Sequence, residues 1–183
     1  YRPAVPLFEN FDFLAEGKGA SQGKMPEIRN DGIYVLGYSL GGMVGLHAAA
    51  LDERIAGVAG FCGFTPLRTD TPDKPTGGLE RFWKWHALLP LLGTFEGDQT
   101  RIPYDYEDVL TLIAPRPCLI YAPVRDRFAD ASDVAACLEK AKAAWRAKGS
   151  LDGLVVQTPD DINRFQSAQQ QAFLQWLRAE TEK

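Results

Sequence analysis

The sequence predicts an α/β fold in which a mostly parallel sheet is flanked by helices. From residue 33 onward, short apolar runs rich in β-branched residues alternate with helical patterns, and polar or proline-containing turns separate them. Such alternation is typical of a parallel sheet, because each helix crosses back over the sheet before the next strand. With 183 residues, 45% of them hydrophobic, we expect a single domain with one core over residues 1–183.

Apolar runs place the strands. The predicted strands cover residues 33–36, 55–61, 118–122 and 153–157. The polar, glycine-rich part before residue 33 offers at most one more, at residues 11–15. The first of the four main strands is apolar on both faces, as a central strand is, yet only 32 residues precede it. An unpaired central strand is avoided in native proteins, so we expect a partner chain or other polypeptide to complete the sheet, unless the sheet lacks its early strands. They would be lacking either because this is a shortened form or because the natural protein has them outside this sequence.

Capping signals place the helices. Asp105 is predicted to cap a short helix that ends before Pro115, and Ser132 to cap a longer one that ends at Gly149. The last helix is predicted to start near Ser167, with Gln170 as its capping-box partner.

Residues 64–103 interrupt the alternation of strands and helices. They are rich in proline, glycine and threonine, and then in aromatic side chains. A loop of this length with little regular structure is typical of a lid or a binding loop, so we expect a lid-like insertion over the carboxyl edge of the sheet. Simple packing of the aromatic residues is the alternative.

The composition of the chain indicates which classes of partner are not expected. The net charge is −4 and the basic residues are scattered, so nucleic acid is not expected as a partner. No apolar run approaches the roughly 18 residues of a membrane-spanning helix. No leader is visible, but the chain starts with tyrosine and a trimmed product stays open, so the compartment is not assigned and a secreted or periplasmic one is included.

Three cysteines match no metal motif. Cys62 and Cys118 lie in apolar, strand-like runs, and Cys137 lies on the apolar face of a predicted helix. We therefore expect buried free thiols rather than a disulfide, and neither a metal nor another cofactor.

The run Gly37-Tyr38-Ser39-Leu40-Gly41 predicts a nucleophile elbow. It follows a strand and leads into a predicted helix over residues 41–51, so the Ser39 hydroxyl would stand at a sharp turn at the carboxyl end of that strand. The positive end of the helix dipole and the backbone N–H of Leu40 would stabilise an oxyanion there.

Together with Asp126-Arg127 after the run 114–122, this elbow resembles the α/β-hydrolase superfamily. Within it, the chain looks most like the dienelactone-hydrolase and acetyl-xylan-esterase branch, and the stretches 102–106 and 158–165 are similar to carbohydrate esterases. The resemblance covers residues 33–183. It implies that Ser39 attacks an ester carbonyl to form an acyl-enzyme and that Asp126 is the acid that orients an imidazole. Alternatively, Asp126 caps a turn or pairs with a neighbouring arginine.

The base departs from the family's pattern. Asn163 lies where the resemblance places histidine, and an amide cannot take a proton from serine at neutral pH. His47 lies eight residues beyond Ser39 on the helix and is expected to be packed there. His86, in the insertion, is the candidate base, although an exposed histidine stacked on Trp83 or Trp85 is the alternative.

The leading hypothesis is a serine esterase that acts on small acyl esters, acetylated carbohydrate among them, with Trp83 and Trp85 stacking on a sugar ring. The first alternative is a non-catalytic hydrolase-like binding domain, which Asn163 and the short N-terminal part suggest. The second is one part of an obligate assembly, a homo-oligomer included, in which a partner completes the sheet and the site.

Overall fold

A computed structural model describes residues 32–182. Of the described residues, 34–182 belong to one compact unit. The predicted strand at residues 11–15 lies outside the described residues, and the single domain over residues 1–183 stays a prediction. No helix in residues 32–182 has the combination of length and apolar character needed to span a membrane.

Four strands form one sheet, which confirms the α/β prediction. They are β1 (Ile33–Tyr38), β2 (Ile55–Phe61), β3 (Cys118–Tyr121) and β4 (Leu154–Gln157), in the order β1-β2-β3-β4. The pairs β2–β3 and β3–β4 are parallel, with Val58 opposite Cys118 and Cys118 opposite Leu154. Among the described strands β1 lies at the edge, and Leu36 and Tyr38 on it are exposed.

Four α-helices connect and follow the strands. They are α1 (Leu40–Leu51), α2 (Tyr106–Ile113), α3 (Ala131–Ala147) and α4 (Ser167–Thr181). Asp105 caps α2 through a capping box, as predicted.

Two capping predictions were wrong in register. Asp130, not Ser132, caps α3, because its carboxylate accepts from the N–H groups of Ser132 and Asp133. The box of α4 pairs Gln166 with Gln169, one residue before the predicted pair. In both helices the capping side chain belongs to the residue immediately before the first helical residue, where it is close to the free N–H groups of the first turn.

The insertion contains only short helical turns. A π-helical turn covers Arg81–Trp85, and two 3-10 turns cover Pro90–Phe95 and Gln99–Arg101. Phe82 of the first turn is buried in the main core, so the insertion is anchored to the rest of the unit.

Two apolar clusters hold the layers together. The larger cluster includes Met43, Leu46 and Trp145, and the smaller one packs Phe61 and Leu119 against Trp176 of α4. The three cysteines are buried and free, as predicted.

The Arg116 side chain ties the far ends of two helices to β2. Its guanidinium donates to the carbonyl oxygens of Ala49 at 2.6 Å, Asp52 at 3.0 Å and Ile55 at 2.7 Å. It also reaches the carbonyls of Leu112 and Ile113 at the end of α2. The carbonyls of Ala49, Leu112 and Ile113 lie in the last turns of their helices, so the arginine accounts for acceptors that a helix end leaves free.

Candidate active site

The carboxyl ends of the strands bring the candidate residues to one edge of the sheet. Strand-like backbone bonds continue past the strands, from Cys62 N–H to the Tyr121 oxygen at 2.8 Å and from Ala122 N–H to the Gln157 oxygen at 2.9 Å. The N–H of Arg125 then donates to the Asp161 oxygen at 3.0 Å, which holds the segment of Asp126 beside the segment of Asn163. In an open parallel sheet this edge is where ligands usually bind.

Ser39 lies at a strained turn between β1 and α1. Its backbone has φ 54° and ψ −119°, a conformation that residues other than glycine rarely adopt. The Ser39 N–H donates to the Phe61 oxygen at 2.7 Å, and the residue is partly exposed. This is the geometry that the elbow pattern predicts, with the hydroxyl at the amino end of a 12-residue helix.

Two glycines make room for this turn. A Cβ atom at Gly37 would overlap the backbone carbonyl of Gly41. A Cβ atom at Gly63 would lie 2.5 Å from the backbone carbonyl oxygen of Ser39. A Cβ atom at Gly41 would meet nothing within 4 Å. Of the two glycines in the five-residue pattern, the space around the elbow therefore requires Gly37 alone.

Arg81 contacts the Ser39 hydroxyl, although no pattern in the sequence predicts this contact. Its Nη1 donates to Ser39 Oγ at 3.3 Å, and the side chain is only 3% exposed. Rings of Trp85 and Phe128 lie 5.7 and 5.1 Å from the guanidinium carbon. Burial lowers the pKa of Arg81, but an arginine stays protonated at neutral pH, so a positive charge lies beside Oγ. No sequence motif marks the contact, which joins residues 42 apart.

Asp126 lies at the turn after β3 and is 6% exposed. One carboxylate oxygen accepts from the Phe128 N–H at 2.9 Å, and the other accepts from the Asn163 amide at 2.8 Å. Burial raises the pKa of Asp126, although these two bonds and the charges of Arg81 and Arg127 oppose the increase.

Asn163 bridges Asp126 to Tyr38. Its amide nitrogen donates to Asp126, and its carbonyl oxygen accepts from the Tyr38 hydroxyl at 2.7 Å. Tyr38 in turn stacks on Phe165, with ring centroids 5.6 Å apart. The amide thus makes the contact with Asp126 that the resemblance assigns to an imidazole, and it holds the tyrosine next to Ser39 in place.

Neither histidine is seen bonded to Ser39 in the described part of the chain. The Nδ1 of His47 lies 2.8 Å from the Met43 oxygen, and rings of Phe82, Tyr104 and Tyr106 surround it at 5.2 to 5.7 Å. Burial lowers the pKa of His47, so it is a neutral, packed helix residue, as expected. His86 is exposed at the end of the π-helical turn, and its role as base stays a prediction.

The two tryptophans differ in accessibility. Trp83 is partly buried against Gly93, where an added Cβ atom would lie 2.8 Å from the indole ring, so that ring face has no room for a sugar. Trp85 is 43% exposed, and its indole N–H donates to Glu80 at 3.1 Å. Of the pair, Trp85 has the surface that stacking on a sugar requires.

A mostly apolar cavity of about 160 Å³ adjoins Asp126. Cys62, Phe64 and Val134 are among its lining residues. It is smaller than the roughly 300 Å³ at which pockets for drug-sized ligands begin, so it suits a short acyl or alkyl group. Burial raises the pKa of Cys62 to about 11, so this thiol stays protonated at neutral pH.

The described residues offer no metal site of the usual kind. Across residues 32–182, no three histidine, cysteine, aspartate or glutamate side chains are grouped as ligands of an ion. The groups that the structure brings to this edge include a serine hydroxyl, a guanidinium, a helix end and a buried carboxylate.

The fold is shared with solved esterases. A glucuronoyl esterase of carbohydrate esterase family 15 from Caldicellulosiruptor kristjansonii superposes with a TM-score of 0.69 at 21% identity, over 93% of this chain and 48% of that one. A glucuronoyl esterase from Solibacter usitatus gives 0.66 at 17%, over 94% and 46%. The chain thus spans about half the length of these structures, and at such identities the likeness shows the α/β-hydrolase fold alone.

A promiscuous esterase of the same carbohydrate esterase family, from a marine bacterial metagenome, gives a TM-score of 0.69 at 18% identity, over 92% of this chain and 46% of that one. A comparison with curated protein sequences gives no match. The family model described as "Glucuronyl esterase, fungi" matches residues 19–149. That match covers well over half of the chain, and the chain therefore belongs to this glucuronyl esterase family.

Proposed function

We propose that this chain is the nucleophile-bearing part of an esterase that cleaves carbohydrate esters through Ser39. The observation that carries the proposal is the strained backbone of Ser39 at the start of α1, with its side chain hydrogen-bonded to the buried Arg81. A fold holds a non-glycine residue at positive φ only when the surroundings impose it, and such positions cluster at active sites. Membership of a glucuronyl esterase family supports an ester as the substrate.

The reaction is acyl transfer. Ser39 Oγ loses its proton to a base and bonds to the ester carbonyl carbon, and the negative charge that develops on the carbonyl oxygen is stabilised by the Leu40 N–H and the amino end of α1. Departure of the alcohol, with a proton, leaves an acyl-enzyme. Water then releases the acid and restores the serine.

His86 is the proposed base, and its side chain would have to reach Ser39 from the exposed end of the π-helical turn. It would act without Asp126, because Asn163 already occupies the hydrogen-bonding position at that carboxylate. Asp126 then serves to hold the loop of Asn163 and Tyr38, and becomes a triad acid only if an imidazole replaces the amide.

The substrate class is a carbohydrate ester, with two chemical versions. An ester of a sugar acid matches the name of the family, and an acetylated sugar matches the resemblance to the dienelactone-hydrolase and acetyl-xylan-esterase branch. Exposed Trp85 offers the stacking surface in either version.

Fluorophosphonate labelling and hydrolysis assays test the proposal on the full chain. We expect labelling that disappears in Ser39→Ala, and turnover of a methyl glucuronate ester or of an acetylated sugar. Gly41→Ala is the matched control within the elbow, since its Cβ atom has free space. His86→Gln should abolish turnover without changing the fold. Unchanged turnover in this variant would show that His86 is not the base.

A hydrolase-like binding domain is the second candidate, and the Asn163 bridge is the observation that favours it. Absence of both labelling and turnover in a folded chain would support this candidate over the esterase.

A further inference from the structure

Arg81 is a buried charge without a carboxylate partner among residues 32–182. Asp126 and Asp70 raise its pKa only from a distance, and neither forms an ion pair with it. The acceptors within hydrogen-bond reach of the guanidinium in this range are Ser39 Oγ at 3.3 Å and Met43 Sδ at 3.6 Å. A guanidinium has five N–H donors, so most of its capacity is not used by these contacts.

The residues around Arg81 determine from which side a ligand can reach its remaining N–H groups. The rings of Trp85 and Phe128 stabilise the cation near its faces, and a Cβ atom at Gly77 would lie 2.5 Å from Nη2, so the backbone closes that side. Nη1 points at Ser39, which is partly exposed. An approaching ligand therefore meets the charge at the nucleophile.

We propose that Arg81 and the amino end of α1 form a binding site for a carboxylate next to Ser39. Buried charges in proteins are usually paired, and a carboxylate oxygen beside Ser39 could accept a charge-assisted hydrogen bond from Nη1. The first N–H groups of α1 add donors and a positive dipole end at the same point. An anion there would supply the counter-charge that the described residues do not.

The origin of the carboxylate rests on the proposed function. Hydrolysis of an ester at Ser39 leaves the acid carbon where Oγ was bonded to it, within reach of Nη1. Such an enzyme would hold its acid product and be inhibited by it. If the chain does not hydrolyse esters, the same site would bind a sugar acid as a ligand.

Calorimetric titration of the full chain separates these cases. Sodium glucuronate is the probe, glucuronamide is its neutral counterpart of the same shape, and sodium acetate tests the carboxylate alone. We expect glucuronate to bind about tenfold or more tightly than glucuronamide, since a hydrogen-bonded charge pair is being added. Ser39→Ala should retain this preference, which makes the measurement independent of turnover.

Arg81→Gln should remove the preference, and Arg81→Lys should keep part of it. Arg127→Gln is the matched control, because Arg127 also lies over the Phe128 ring, at 4.4 Å, but is exposed. Equal binding of glucuronate and glucuronamide by the unaltered chain overturns the proposal even if the Arg81 variants do not fold, as does an equal loss in Arg127→Gln. Turnover without this preference overturns the carboxylate site alone, and the preference without turnover overturns the esterase alone.

Discussion

The two ends of the candidate site differ in how closely they follow a serine hydrolase. At the elbow, Ser39 has the strained backbone and the strand-to-helix position of a nucleophile. At the opposite end, Asp126 binds the Asn163 amide where the resemblance places an imidazole. Ser39 thus has the backbone setting that the elbow pattern predicts, whereas the position expected to hold an imidazole holds an amide.

The forces that hold each end explain this difference. The elbow depends on backbone packing, since side chains at Gly37 or Gly63 would overlap neighbouring main-chain atoms. Asn163 is held by two side-chain hydrogen bonds in the loop after β4. A substitution at position 163 therefore changes side-chain hydrogen bonds, whereas one at position 37 disturbs the main chain of the elbow.

The largest expected effect comes from Asn163→His. An imidazole at this position can bond to Asp126 as the amide does and present its other nitrogen to Ser39, so we expect ester hydrolysis to increase by about a hundredfold or more. Hydrolysis of p-nitrophenyl acetate measures the gain, which should follow the titration of a histidine.

The double variant Asn163→His with Ser39→Ala should lose this gain. If hydrolysis by Asn163→His equals that of the unaltered chain, position 163 does not reach the nucleophile and the comparison between the two ends fails.

Gly37→Ala and Gly41→Ala test the elbow end. We expect Gly37→Ala to lower the free energy of unfolding by about 2 kcal/mol or more, because its Cβ atom would overlap the Gly41 carbonyl. Gly41→Ala should be neutral or slightly stabilising, since it places alanine in α1 without a contact. Urea unfolding measures both, and equal effects would show that the elbow is not sterically constrained at Gly37.

The smallest effect is a pH dependence at the helix that carries Ser39. Burial lowers the pKa of His47 below its ordinary value of 6.5, so the unfolded chain binds this proton at a higher pH than the folded chain. The free energy of unfolding should therefore decrease as pH falls below about 6.5, until the lower folded-state pKa is passed.

His47→Phe should flatten the pH dependence of stability in this window, measured by urea unfolding at several pH values. His86→Gln, at an exposed position, is the control for the loss of a histidine. A slope that persists in His47→Phe would mean that another group titrates there.

The parts of the fold that depend on local patterns could be predicted from the sequence. Strand β2 was predicted with its observed bounds, and the Asp105 cap was confirmed, because apolar periodicity and capping are set by nearby residues. The Arg81 contact with Ser39 could not be predicted, since it depends on how an aperiodic insertion packs. The position of Asn163 came from the resemblance, but its bridge to Tyr38 required the tertiary structure.

The Arg116 anchor has a consequence for precision at Ser39. Helix α1 has 12 residues, and Ser39 and the carbonyls held by Arg116 lie at its opposite ends. A helix of that length is about 18 Å long, so a tilt of about 3° around the anchored end would move Ser39 by about 1 Å. Because a misplacement of that size can reduce a rate about a hundredfold, we expect the Arg116 hydrogen bonds to keep the proposed nucleophile in position.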